Sequence, residues 1–423
     1  INRLEKSLSE QTGVFGKSST DVPSWRKVKR SLNDGEAVVE IVRFNYFSTR
    51  FTDSTIYAAL IITPNTKWNP ELVILGNGND MEKRYFKYYT NTVKFKTKDK
   101  FSYSVFWEPI EKKLDGASKV YFSPDGVYNQ LNPETFDNGT GYLLDEYEFV
   151  QISNSKDLVN QEEKIEDQGF VSQAVLFGNP DFTAKSDTVY ANESAGLSRE
   201  GRANKVSSVA PLPGAEKEVK EIQGFLESRA WEIEKYLNAA ATEEMVKSVQ
   251  SPKVLHIATH GFFVDKETLK GQDNTNEIVQ DYKNPLLKSG LLFTGSDKLL
   301  KTDNVFEFNR EAGILTAYEA MNLSLDNTEL VVLSACETGR GEIQAGEGVF
   351  GLQRAFKVAG ADAIIMTLFK VDDEATQKLM KYFYGYWLES ANKREAFLKA
   401  KQQIKEQYDS PIYWGSFVMI GGE

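Results

Sequence analysis

The sequence has 423 residues, enough for two or three domains, and its apolar fraction of 41% is sufficient for ordinary globular cores. The formal net charge of -11, from 61 acidic and 50 basic side chains, argues against a general nucleic-acid-binding surface. No apolar run approaches the roughly 20 residues that a membrane-spanning helix needs. A single cysteine cannot form an internal disulfide, so a reducing, cytoplasmic location is expected.

The N-terminal part of the chain is predicted to form an α/β lobe over residues 34–160. Residues 1–33 are polar and lack periodic apolar residues, so we expect a linker or the end of an upstream helical region. Because the chain opens at Ile1 rather than methionine, either processing or a longer parent protein is also expected. Alternating patterns then predict strands at 37–42, 56–63, 71–75 and 119–123 and helices at 82–95 and 103–114. This lobe has no histidine or cysteine.

A second lobe is predicted over residues 165–423, after a polar connection at 153–168. Its apolar pattern predicts strands at 174–178, 362–369 and 415–420 and helices at 215–227, 348–358, 375–388 and 394–407. A polar loop at 264–283 is equally consistent with a plain surface loop and with one that gates a site. We expect a partner to activate the protein by ordering this loop.

A strand that ends in His260 and Gly261 is the first chemical feature of the second lobe. The sequence Val254-Leu255-His256-Ile257-Ala258 predicts a buried strand, and His256 within it is expected to be a buried histidine with local hydrogen bonds. His260 differs because it lies where the strand breaks. Gly261 frees the backbone to turn there and to present an amide N–H.

The only cysteine follows a second strand of the same kind. Val331-Val332-Leu333 predicts a strand covered on both faces, and Cys336 lies in the polar turn after it, where open α/β sheets carry their sites. A lone cysteine at such a place is more often an inert core thiol than a nucleophile. A histidine after a comparable strand favours a thiolate nucleophile with its base.

These two turns resemble those of the CHAT family of caspase-like cysteine peptidases, which is related to separase, caspases and gingipains. The resemblance implies a caspase-like layered α/β sandwich, with a degenerate N-terminal lobe and an active C-terminal lobe that uses His260 and Cys336. Many relatives carry tetratricopeptide repeats upstream, and members often act in bacterial defence or cell death. Similar segments continue in the family's order: Ser123-Pro124-Asp125-Gly126, Leu212-Pro213-Gly214-Ala215-Glu216, Gly351-Leu352-Gln353-Arg354-Ala355 and Tyr413-Trp414-Gly415-Ser416-Phe417.

The expected reaction is hydrolysis of a peptide bond in a protein partner. The backbone amides of Gly261 and Cys336 are the natural donors for an oxyanion hole. For the substrate pocket we expect Asp373, with Asp372 and Ser334 as further candidates, because residues 368–373 resemble a separase segment that ends in aspartate. An acid there favours cleavage after Arg or Lys. The alternative is that one of the two aspartates caps the following helix.

Other functions remain open on the sequence alone. A non-catalytic caspase-like adaptor would keep the fold without the chemistry, and a Cys-His amidase or acyltransferase would use the same two side chains. Two histidines and one cysteine without clustered spacing do not predict a metal site, and no cofactor is expected. The expected partners are a protein substrate and an activating partner or upstream tetratricopeptide-repeat region. Direct binding of nucleic acid or membrane is not expected.

Overall fold

The computed structural model describes residues 23–159, 172–184, 209–263, 284–297, 313–335, 338–339, 342–344 and 348–422, with only the backbone at 342–344 and 348–350. The loop at 264–283 and Cys336 therefore lie outside the described residues. In the described part, no helix is long and apolar enough to cross a membrane.

In the part of the chain that the structure describes, the core is one sheet of eleven strands in the order β3-β2-β1-β4-β5-β16-β15-β12-β8-β6-β7. Parallel pairing prevails, and the antiparallel neighbours are β1 with β2, β2 with β3, and β15 with β16. The described strands are β1 (Glu36–Phe47), β2 (Phe51–Ile62), β3 (Glu71–Asn77), β4 (Lys119–Ser123), β5 (Glu148–Gln151), β6 (Gln173–Pro180), β7 (Glu232–Asn238), β8 (Val254–Ala258), β9 (Gly261–Phe263), β10 (Ser289–Leu292), β11 (Ile314–Thr316), β12 (Leu330–Ser334), β13 (Glu342–Gln344), β14 (Gly348–Phe350), β15 (Ala363–Thr367) and β16 (Phe417–Gly421).

Helices cover both faces of the sheet, which makes the fold a layered α/β structure and confirms the predicted α/β class. The described α-helices are α1 (Trp25–Arg30), α2 (Gly78–Asp80), α3 (Phe86–Phe95), α4 (Glu108–Glu111), α5 (Pro213–Glu227), α6 (Glu243–Lys247), α7 (Ala317–Ala320), α8 (Leu352–Val358), α9 (Asp373–Ser390), α10 (Lys393–Gln407) and α11 (Pro411–Trp414). Two π-helical turns, Met81–Tyr85 and Tyr103–Trp107, precede α3 and α4.

The central strands are apolar along their whole length because they are buried on both faces. In β8, Val254 and Ala258 join a core with α5, α9 and α10, whereas Leu255 and Ile257 join the core on the opposite face. Helix α5 starts with Pro213 at its first position and buries a stripe of apolar residues against the sheet, as its sequence spacing predicts.

The predicted lobes meet where β5 pairs with β16, through a single bridge between Gln151 and Ile420. The sheet is therefore continuous across the connection at 153–168, and the division into lobes stays a prediction. Within the N-terminal segment 1–33, residues 25–30 form α1. Its Val28 packs against Val38 and Tyr121 on the first half of the sheet.

The region after the cysteine differs from the prediction in one respect. A helix was expected from residue 348, but residues Gly348–Phe350 form β14, which pairs with β13, and α8 begins only at Leu352. The prediction was wrong because Gly348-Val349-Phe350 has a short apolar pattern that fits a strand as well as a helix.

Candidate active site

The histidine and cysteine strands are neighbours in the sheet. Strands β8 and β12 are parallel, and their register pairs Ala258 with Ser334 at the carboxyl ends. His260 follows Ala258 by two residues, as Cys336 follows Ser334 in the sequence. The carboxyl ends of both strands therefore meet at one edge of the sheet, the usual place for a site in an α/β fold.

His260 is half-buried and held by a backbone carbonyl. Its Nε2 atom lies 2.9 Å from the carbonyl oxygen of Ala210, and its ring lies 5.2 Å from the ring of Phe182. A carbonyl oxygen can only accept, so Nε2 carries the proton and Nδ1 of the neutral ring keeps its lone pair. This orienting group could not be predicted from the sequence, because Ala210 lies 50 residues away and acts through its backbone.

The segment that supplies this carbonyl is fixed at both ends. The Val209 N–H donates to Oδ1 of Asp297 at 3.1 Å, and the Leu212 N–H donates to Oδ1 of Asn179 at 2.9 Å. These bonds place a backbone carbonyl, that of Ala210, opposite His260, rather than a carboxylate.

Gly261 begins β9, which pairs antiparallel with β10. The Leu292 N–H donates to the His260 carbonyl at 2.9 Å, so His260 and Leu292 form a hydrogen-bonded pair. Such pairs alternate with non-hydrogen-bonded ones along an antiparallel ladder, and Gly261 opposite Leu291 is the next pair. The Gly261 N–H, which lies opposite the His260 carbonyl on the same trans peptide, therefore points away from β10.

The residues on either side of Cys336 and Glu337 are tied to the end of β15. The buried Thr367 donates from its hydroxyl to the Ala335 carbonyl, and its N–H donates to Oγ1 of Thr338 at 3.1 Å. The Gly339 N–H in turn donates to the Thr367 carbonyl at 2.7 Å. Thr367 thus holds both flanks of the cysteine segment.

Gly339 is required by this close approach. A Cβ atom at this position would lie 2.9 Å from both the Thr367 carbonyl oxygen and Cδ2 of Leu368, closer than real Cβ contacts. Ser334, expected at the pocket, is the last residue of β12 and is buried.

The two pocket aspartates have different surroundings. Asp372 is the N-cap of α9, and its Oδ1 accepts from the Ala375 N–H at 3.0 Å, which is the capping alternative. Asp373 lies in the first turn and faces the start of α5, where a Cβ atom on Gly214 would be 3.5 Å from its Cβ. Residues 210–214 therefore form a short segment that begins at the carbonyl in contact with His260 and ends beside Asp373.

His256 is fully buried, as predicted, but its partners are not local. Its Nε2 lies 2.9 Å from Oε1 of the buried Glu218 on α5, and its Nδ1 lies 3.2 Å from the Tyr384 hydroxyl on α9. A neutral ring satisfies both contacts by donating to Glu218 and accepting from Tyr384. Burial raises the pKa of Tyr384, which keeps its hydroxyl protonated. His256 therefore links strand β8 to two helices.

Metal ligands do not gather in the described part of the chain, where no group of three or more His, Cys, Asp or Glu side chains has suitable geometry. His260 itself contacts a carbonyl and an aromatic ring.

The profile of the CHAT domain matches residues 103–422, about three quarters of the chain. The chain belongs to the CHAT domain family. The family identified from the His-Gly and Ser-Ala-Cys-Glu-Thr-Gly turns is thereby confirmed.

Two curated relatives of this CHAT chain are tetratricopeptide repeat proteins. Tetratricopeptide repeat protein 28 of Mus musculus is 26% identical over 224 residues, which cover 50% of this chain and 9% of that protein. The Homo sapiens protein of the same name is 30% identical over 112 residues, or 26% of this chain and 4% of the relative. The chain thus spans less than a tenth of the length of either.

Among solved structures, the CHAT chain is similar in fold to a gingipain and to a separase–securin complex. The Arg-specific cysteine proteinase gingipain R aligns with a TM-score of 0.44 and 12% identity, covering 82% of this chain and 74% of that one. The Saccharomyces cerevisiae separase–securin complex aligns with a TM-score of 0.41 and 9% identity, covering 81% of this chain and 19% of that one.

Proposed function

We propose that the protein is a cysteine endopeptidase in which His260 and Cys336 form the catalytic dyad. The observation that carries the proposal is the pairing of Ala258 with Ser334, two residues before His260 and Cys336 respectively. In this proposal the N-terminal lobe, residues 34–160, supports the active lobe, residues 165–423. Membership of the CHAT family supports the same assignment.

The dyad would work by acid–base and nucleophilic catalysis. A free cysteine has a pKa of about 8.5, so at neutral pH the thiol needs a base. Nδ1 of His260 accepts the thiol proton while Sγ of Cys336 attacks the scissile carbonyl, and it then returns that proton to the leaving amine. Water hydrolyses the thioester in a second cycle that regenerates the thiol. The Ala210 carbonyl keeps the ring in the required tautomer throughout.

The tetrahedral intermediates would be stabilised by the N–H groups of Gly261 and Cys336. The ladder pattern around Gly261 supports the first donor, because its N–H points away from β10. Removal of one such donor typically costs about 3 kcal/mol of transition-state stabilisation.

Cleavage after Arg or Lys is the specificity that we propose, with Asp373 as the acid that receives the basic side chain. Asp372 is already used as a helix cap, whereas Asp373 faces the segment that leads to His260. A bidentate Arg–carboxylate contact would provide both charge and geometric selection.

The biological setting rests on the resemblance and on the relatives. We propose that an activating partner or a tetratricopeptide-repeat region controls the peptidase, in line with the names of the two curated relatives. A role in bacterial defence or cell death rests on the family resemblance alone, and the proposed cytoplasmic location rests on the single cysteine, which the dyad needs in its reduced form.

A peptidyl acyloxymethyl ketone with Arg next to the reactive group tests the reaction class. We expect it to modify Cys336 in the wild type and to leave the Cys336→Ala variant unlabelled, as intact-mass measurement would reveal. A folded protein that is not labelled and cuts no peptide in a proteome-derived library would be an adaptor. Labelling together with transfer of the acyl group to an added amine, without peptide hydrolysis, would indicate an acyltransferase.

Matched fluorogenic peptides with Arg, Lys, Gln or Asp before the cut test the pocket. Asp373→Asn is expected to lower the preference for Arg over Gln by about tenfold or more, since a charge-assisted bidentate contact is lost. Asp372→Asn, which keeps a good N-cap, is the control and should leave the preference unchanged. A wild-type preference for Asp would refute the assignment.

A further inference from the structure

A cleft of about 600 Å³ lies beside the carboxyl end of β15, between residues 368–372, helix α3 and the start of α11. Its lining is apolar at Phe86, Val93, Leu368, Phe369 and Ile412. The Phe369 ring lies 5.6 Å from that of the buried Tyr89, which fixes it in place. The apolar floor of the cleft thus packs against the core of the first half of the chain.

Three exposed lysines, Lys94, Lys96 and Lys370, belong to the same lining. Among the described residues, none of the three has a carboxylate oxygen within 4.0 Å of its Nζ, whereas several other lysines do. Lys96 instead contacts the neutral Tyr413, with its Nζ 4.4 Å from the ring centroid. The positive charge of the three lysines is therefore available to a ligand.

The acidic residue of the lining, Asp372, can offset only one of the three positive charges. Its carboxylate accepts from the Ala375 N–H at the positive end of α9. The protein as a whole has a net charge of -11. The local excess of positive charge beside the candidate active site is therefore opposite in sign to the charge of the whole protein. Such a surface selects anionic groups, and its apolar floor selects apolar ones.

We propose that this cleft, which we call the lysine cleft, binds an acidic and partly apolar stretch of the protein substrate. The proposal rests on the peptidase function above and adds Lys94, Lys96 and Lys370 as specificity-determining residues. Glutamate or aspartate side chains of the substrate contact the lysines, while neighbouring apolar side chains lie against Phe369 and Ile412.

The cleft lies at the same edge of the sheet as the end of β8, which leads to His260. Strand β15 lies next to β12, and β12 lies next to β8, which leads to His260. Adjacent strands are about 4.8 Å apart, so the ends of β8 and β15 are separated by about 10 Å. An extended peptide advances about 3.3 Å per residue, so a few residues are enough to reach from one strand end to the other.

Peptide binding to the full chain with Cys336→Ala tests the proposal without turnover. The probes are three fluorescein-labelled decapeptides that share the same Leu and Phe positions and carry Glu, Gln or Lys at all the others. Their binding is measured by fluorescence anisotropy. The Glu peptide is expected to bind about tenfold more tightly than the Gln peptide, since three exposed charge contacts are worth roughly this much together. Neutralisation by Lys94→Gln, Lys96→Gln and Lys370→Gln should remove the difference.

A matched control distinguishes an effect of the cleft from an effect of the protein's total charge. Lys67→Gln, Lys83→Gln and Lys381→Gln remove the same charge at exposed positions outside the cleft and should change the affinity less than about twofold. An equal loss in both triple variants, or equal binding of the Glu and Gln peptides, overturns the proposal. So does a labelled single-stranded DNA that binds more tightly than the Glu peptide and depends on the same three lysines. Because no cleavage is measured, the result stands independently of the peptidase assignment.

Discussion

Ala258 of β8 and Ser334 of β12 lie opposite each other in register at the carboxyl ends of two adjacent parallel strands. His260 and Cys336 follow them at the same sequence distance, and we therefore expect both to be essential. Cys336→Ala and His260→Ala should each lower kcat/KM by at least about a thousandfold, as removal of a nucleophile or its base does. The thermal unfolding midpoint should not change. Near wild-type turnover in either folded variant would contradict the dyad.

The buried His256 should matter for stability rather than for chemistry. His256→Ala removes the hydrogen-bond partner of the buried Glu218 carboxyl, and a buried polar group left without its partner typically costs about 1–3 kcal/mol. Tyr384→Phe removes one hydrogen bond to the same ring and should cost only about 1 kcal/mol. Urea unfolding of both variants measures the difference. Equal losses of unfolding free energy in the two variants would show that the buried Glu218 does not need its hydrogen bond to His256.

Gly339 should tolerate no side chain beside the cysteine segment. Gly339→Ala places a Cβ atom 2.9 Å from the Thr367 carbonyl oxygen, and overpacking of this kind costs about 1–3 kcal/mol. Activity should fall with it, because Thr367 also holds the Ala335 carbonyl.

Gly224→Ala is the control for that substitution. Gly224 lies inside α5, and a Cβ atom there meets no other atom within 4 Å. Alanine should stabilise the helix by up to about 1 kcal/mol. If both alanine substitutions destabilise the protein, the lack of space at Gly339 is not the cause of the destabilisation by Gly339→Ala.

Glu40 should give the protein a specific pH dependence. Burial raises the pKa of Glu40 despite hydrogen bonds from Ser123 and Ser155, so the ionised carboxylate is disfavoured in the folded state. Its contribution to stability is complete below the ordinary glutamate pKa and is lost as the pH rises through the higher, folded-state pKa. Glu40→Gln should therefore unfold at about the wild-type temperature at pH 4 and at a higher temperature at pH 7. A constant difference across this range would contradict the raised pKa.

The buried pair of Lys401 and Glu134, at the contact between α10 and the first half of the chain, should be costly to break but nearly neutral to replace. Lys401→Ala leaves Glu134 buried without its cation and should cost about 3–5 kcal/mol. Combining Lys401→Met with Glu134→Leu removes both charges and should recover most of that loss, because burial disfavours the charged lysine and lowers its pKa. A double variant as unstable as Lys401→Ala would show that the pair contributes more than its burial costs.

Local patterns in the sequence determined the main elements and the two candidate catalytic turns. The apolar runs at Val254–Ala258 and Leu330–Ser334 predicted buried strands because burial on both faces requires apolar residues at every position. Helix α5 was predicted from a stripe at helical spacing. The His-Gly and cysteine turns identified the CHAT family because their residues are contiguous in the chain.

Only the tertiary structure decided which distant groups meet. The Ala210 carbonyl orients His260 from 50 residues away, and Glu218 and Tyr384 reach His256 from two different helices. The lysine cleft likewise joins segments near residues 90, 370 and 412. A backbone carbonyl is the same in every residue, and exposed lysines are ordinary in sequence, so neither carries a local signal. Their roles arise from the order of the strands, which is set by burial across the whole sheet.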